Sequence, residues 1–100
     1  MGREATCVFT DEDGIRKLES LVHQLPANSH VVVLLQDGSR CDGVVSVRPS
    51  VQVFRDHDDR EGINATVELE RPDVPGWNRR IWLDQVVRVE HLDSGMASES

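Results

Sequence analysis

The residues with the most chemistry between them lie in one short loop. In RDHDDREG, positions 55–62, His57 stands among Asp56, Asp58, Asp59 and Glu61, a density of imidazole and carboxylate that could hold a divalent cation. The spacing argues against a dedicated site. A calcium loop counted from Asp56 puts Arg60 at the fifth place, where an oxygen ligand is needed, and Gly62 falls one residue late. The expectation is a solvated acidic turn with no bound metal. Cys7 and Cys41 are far apart, with no second Cys and no His at ligand spacing, so both read as reduced thiols. No Ser, Thr or Cys sits in a nucleophile motif, and His23, His30 and His91 are scattered at element ends. Neither an enzyme nor a cofactor is expected.

A second grouping is Arg71, Arg79, Arg80 and Arg88 interleaved with Trp77 and Trp82. Guanidinium groups beside aromatic faces can bind single-stranded nucleic acid through phosphate contact and stacking. The same arginines can pair with Glu68, Glu70 and Glu90 on neighbouring strands, and the matching number of acids favours the pairing. If Ile81 and Leu83 face the core, Trp82 faces outward, either as an interface anchor or covered by the 71–79 loop. These six residues are the candidate RNA or partner surface.

The elements that must position them follow from pattern. The chain has 100 residues and a net charge of -7, from 18 acidic against 11 basic side chains. That length gives one domain with a single core, and the charge works against long-range attraction to phosphate or anionic lipid. No apolar stretch nears the roughly 20 residues that cross a bilayer, and MGREATCVF lacks the continuous apolar segment of a signal peptide, so no membrane partner and a cytoplasmic location are expected. Ile15, Leu18, Leu21, Val22 and Leu25 recur at helical steps between a Thr10 N-cap and Pro26, predicting a helix over about 11–25. Strands are expected over about 31–36, 39–54, 63–71, 79–84 and 86–92, with a disordered tail at 93–100. Asp37-Gly38 predicts a two-residue primed turn with both residues at positive φ. In the long second strand, Cys41, Gly43, Val45, Val47, Val51 and Val53 share one face, and a bend or bulge is expected near Gly43 and near Pro49. Ile63, Ala65, Val67 and Leu69 should face inward on the third strand, and Val87 and Val89 on the last. The fold class is mainly β with one N-terminal α-helix: a small, bent, five-stranded antiparallel barrel, capped by the helix.

The central stretch has a family. A helix, then VVVLLQDG, then the short step to Gly43 and a long bent strand resembles the first motif of Sm-like proteins, the fold of LSm proteins and Hfq. Within that fold the chain looks like a small bacterial family of unknown function, over about residues 10–92. Leu35, Asp37, Gly38 and Gly43 fall where the motif places them, while Pro49 and Val53 stand where Sm proteins carry their RNA-contacting aspartate and asparagine. The second motif's arginine-glycine pair would fall at Ile81–Val87, where this chain has Asp84-Gln85, and the lysine-histidine pair of Hfq is absent. The resemblance implies an Sm-like, SH3-like barrel that self-associates through its late strands into a dimer or ring. It points to a non-enzymatic binding or assembly module, with an unidentified protein partner also open. The alternatives are an RNA-binding ring using the Arg/Trp patch, and a ribosome-associated SH3-like accessory domain, which the ending LDQVVRVEHL also resembles.

Overall fold

The computed structural model describes residues 3–92, and the tail expected at 93–100 lies outside them. The helix α1, Glu12–His23, is shorter than its hydrophobic pattern suggests. Asp11 rather than Thr10 is its N-cap, and it caps with its backbone: the Ile15 N–H donates to the Asp11 carbonyl at 3.1 Å, with no side-chain cap bond. Glu12 and Asp13 still lie at the positive end of the helix dipole. At the other end Leu25 N–H bonds back to Val22 O at 3.2 Å, a tightened turn, because Pro26 disfavours helical geometry in the residue before it. Leu18, Leu21 and Leu25 are buried in the main core, each worth roughly 2 kcal/mol of apolar transfer. Gly14 makes room for Phe9: a Cβ there would lie 2.5 Å from the ring.

Two sheets follow. The larger contains β2 (His30–Leu35), β3 (Arg40–Val47), β6 (Thr66–Glu70), β7 (Asn78–Trp82) and β8 (Val86–His91), in the order β7-β6-β3-β2-β8. The smaller has β1 (Arg3–Glu4), β4 (Gln52–Arg55) and β5 (Glu61–Asn64), in the order β1-β4-β5. Among the described residues seven strands pair antiparallel, and only the two-residue β1 runs parallel, on β4.

Five strands were expected. The difference comes from two breaks in one long hairpin. Pro49, which has no N–H to give a ladder, divides the predicted 39–54 strand into β3 and β4. Opposite it, Ala65 leaves the ladder and gives its N–H to the side chain of Asn64 at 2.8 Å, dividing 63–71 into β5 and β6. The bulge expected at Gly43 is absent, since β2 and β3 pair without interruption from His30↔Val44 to Leu34↔Arg40. It lies instead at Ser46, between Val45↔Leu69 and Val47↔Glu68. The extra residue reverses the strand's parity. Cys41, Gly43 and Val45 are therefore inside as expected, whereas Val47 and Val53 are 65% and 52% exposed and Phe54 is buried in their stead. A second bulge, between Leu34↔Arg88 and Leu35↔Val86, makes Val87 the extra residue and turns it to solvent, with Val86 and Val89 buried.

The sheet does not close into a barrel. Between β7 and β8 lies a single 3-10 turn, Leu83–Gln85, fixed to its neighbours by Leu83 N–H to Ala65 O and Gln36 N–H to Gln85 O, both at 2.9 Å. That turn sends β8 back onto β2 instead of onto β7, so both strands end as edges.

The β2–β3 turn also differs from the primed pair. Gly38 alone has positive φ, at 89°, and the bonds Gly38 N–H to Leu35 O and Leu35 N–H to Ser39 O, each 2.9 Å, define a three-residue loop with a glycine bulge. Asp37 holds it by accepting from the Ser39 N–H (2.9 Å) and hydroxyl (2.6 Å), and these bonds, the hydroxyl's first, pull its carboxyl below the usual range. Gly43 is needed for close approach: a Cβ would meet Glu70 O at 3.0 Å and Leu69 Cβ at 3.1 Å, beneath the Trp77 indole.

Three substitutions separate these roles. Gly38→Ala meets no atom within 4 Å and is expected to cost about 1 kcal/mol by backbone strain alone, whereas Gly43→Ala should cost about 1–3 kcal/mol by overpacking, both read from urea midpoints. A carboxyl whose folded pKa is lowered adds stability above its unfolded value that is lost as pH falls through the folded one. The stability gap between parent and Ser39→Ala should therefore be constant at neutral pH and shrink below about pH 4.

Candidate functional site

The predicted Arg/Trp surface is divided by the fold. Arg71 follows β6 and Trp77 precedes β7; the Arg71 guanidinium lies 4.3 Å from the Trp77 ring centre and also pairs with Asp42. Trp77 also lies near Gly43 and packs against the core, half-buried. Arg80 faces Glu68 in register and bonds it at 3.2 Å. Arg88 pairs with Glu90 on the opposite edge strand, β8. Arg79, opposite Leu69, makes no ion pair among the described residues, and its charge adds to the field that holds Asp37 ionised. Trp82 is half-buried and meets the Phe54 ring edge-on at 5.0 Å.

The acidic loop is a hairpin turn between β4 and β5. Asp56 Oδ1 accepts the backbone N–H groups of Asp58 (3.0 Å) and Arg60 (2.9 Å), while Asp59, at φ 63°, pairs with Arg55 at 2.9 Å. These carboxylates are occupied in holding the turn. Among the described residues no three His, Cys, Asp or Glu side chains gather as a metal site. Cys7 is half-buried, and burial first, then the carboxylates of Asp84 and Asp56, push its thiol pKa up, away from nucleophilic thiolate.

The most ordered polar cluster was not predicted. Asn64, with no exposed surface, donates from Nδ2 to the Cys7 carbonyl at 2.8 Å and to Asp84 Oδ1 at 2.9 Å. Gln85 Nε2 donates to the other oxygen of Asp84 at 2.7 Å, and Gln36 Nε2 to the Asp84 carbonyl at 2.9 Å. Asn64 falls on an even position that alternation assigns to solvent, and its neighbour Ala65 is buried too. Two adjacent buried residues mark a strand break, which periodicity alone does not register.

A helix leading into β2, a strand order of β7-β6-β3-β2-β8 and a bent β3–β4 segment make this fold Sm-like. A family model described as a domain of unknown function, DUF3247, matches residues 2–92. This chain belongs to that family. XC5848 from Xanthomonas campestris, a solved structure described as adopting a novel variant of the Sm-like motif, is 36% identical with a TM-score of 0.84, over 90% of this chain and 97% of that one. No curated protein matches.

In this DUF3247 chain the positions that the Sm resemblance singles out have surroundings of their own. Pro49 is buried at the bend of the long hairpin, and Val53 lies exposed on β4. In the Ile81–Val87 stretch, Asp84 is buried and held by Asn64 and by the exposed Gln85 in the cluster just described. Removing its centre should be costly: Asn64→Ala leaves the Asp84 carboxylate and the Ala65 N–H without their partner, at about 1–3 kcal/mol each, whereas Arg80→Ala on the surface should stay within about 1 kcal/mol in the same urea titration.

Proposed function

We propose that this DUF3247 domain is a non-enzymatic assembly module that self-associates through its late strands, β7 of one copy against β8 of the next. One contrast carries this reading. The β4–β5 hairpin has the N-terminal segment on both of its sides: the two-residue β1, Arg3–Glu4, pairs along β4, with Ala5 N–H reaching Arg55 O at 2.9 Å, and Phe9 bridges Ile63 on β5 through bonds of 2.8 and 3.0 Å. Among the described residues, the large sheet has neither edge covered by a strand. Exposed ladder groups are templates for another strand, and chains that remain monomeric usually blunt or cover them. Here the covering is selective. Val87, 57% exposed on β8, adds apolar surface at one edge. The free thiols of Cys7 and Cys41 suit a reducing cytoplasm, and no helix among the described residues is long and apolar enough to cross a membrane.

The RNA reading has less support. Arg71, Arg80 and Arg88 already face carboxylates, and both tryptophans have a face or edge occupied.

Light scattering behind size exclusion gives the test. The parent is expected to run as a dimer or larger ring, Val87→Lys to shift toward monomer, and short oligouridine at low salt to leave the mass unchanged. A parent that stays monomeric at high concentration would end the proposal.

A further inference from the structure

The break in the long hairpin opens a cleft. Between Val47↔Glu68 and Gln52↔Asn64 no ladder pair joins residues 48–51 to residues 65–67, and the gap holds a cavity of about 230 Å³. Its lining includes the apolar residues Val47, Pro49 and Phe54, the last two buried. Its rim is charged. Arg48 and Arg80 stand there with Glu68 and the Thr66 hydroxyl.

Arg80 is engaged with Glu68 at 3.2 Å. Arg48 is not engaged: among the described residues it has neither ion pair nor hydrogen bond, in a chain carrying seven more acidic than basic side chains. Elsewhere Arg16, Arg40, Arg55, Arg60, Arg71 and Arg88 each face a carboxylate, while Arg79, which does not line this cleft, has no ion pair among the described residues either. An exposed arginine left unpaired amid such an acid excess, in a cleft also lined by a hydroxyl and an aromatic ring, has the donor set and the apolar lining of an anion site. Two guanidiniums against one carboxylate leave the rim with one positive charge to balance. The volume lies below the roughly 300–1,000 Å³ of sites for drug-sized ligands, which restricts the occupant to a small molecule.

We propose that this cleft binds a compact organic monocarboxylate, with its apolar body against Phe54 and Pro49 and its carboxylate on Arg48 and the Thr66 hydroxyl. Arg48 itself lies in the bend, off both edge strands, whereas the rim's Arg80 belongs to β7.

The experiment is an amide-shift titration of the ¹⁵N-labelled full chain at pH 8 with benzoate, benzyl alcohol and phenyl phosphate. Benzoate is expected to produce saturable shifts confined to residues 47–54 and 66–68 and 80, and benzyl alcohol to bind at least roughly tenfold more weakly for want of the charge-assisted bonds. Arg48→Gln, an exposed substitution, should weaken benzoate by roughly tenfold while leaving the urea midpoint and the mass in solution unchanged. The proposal is overturned if benzoate gives no shifts at millimolar concentration, if benzyl alcohol binds as tightly, if phenyl phosphate binds more tightly than benzoate, or if Arg48→Gln changes nothing.

Discussion

Three separate parts of the chain meet at one buried amide. Asn64 ends β5, holds the N-terminal segment through the Cys7 carbonyl, holds the 3-10 turn through Asp84, and supplies a partner to the Ala65 N–H that the strand break would otherwise strand. A buried carboxylate is tolerable only when both oxygens are satisfied, and here Asn64 and Gln85 satisfy them. The turn that Asp84 anchors decides where β8 goes. Because it sends β8 onto β2, the large sheet is left with two edges and the main core is completed by Val86 and Val89.

The second organising constraint is the bend itself. A flat hairpin from residue 40 to residue 70 could serve one sheet only. Pro49 and the Ser46 bulge on one strand, with Ala65 on the other, let its two halves belong to different sheets, and the gap between the halves is where the cleft lies. The N-terminal segment then covers both edges of the outer half. The interior of the molecule, its covered edges and its uncovered ones thus derive from two local interruptions of ladder pairing.

Charge is arranged around this frame in pairs. Arg80 with Glu68 and Arg88 with Glu90 lie at the surface, where an ion pair contributes about 0–1 kcal/mol, so they neutralise strand faces more than they stabilise the fold. The acidic loop reads similarly: Asp56 is an acceptor for two turn amides rather than an available ligand.

Much of this was legible in the residues. The helix period, the apolar run into Asp37-Gly38, and the sequence of strands suffice for an Sm-like arrangement, because a 3.6-residue or two-residue period is a local property that burial then follows. The short turn at Gly38 was legible in place but not in type, since Asp37 closes it through Ser39 without positive φ of its own. What periodicity could not supply was any change of parity. One extra residue at Ser46 exposes Val47 and Val53 and buries Phe54, and one at Val87 does the same on β8, because a bulge depends on the partner strand's register. Asn64 looked like an outward polar residue for the same reason. The sequence by itself determined the elements and their order; only the tertiary structure decided which edges stay uncovered, which arginines meet a carboxylate and where the buried carboxylate finds its partners, since each depends on chain segments distant in sequence coming into contact.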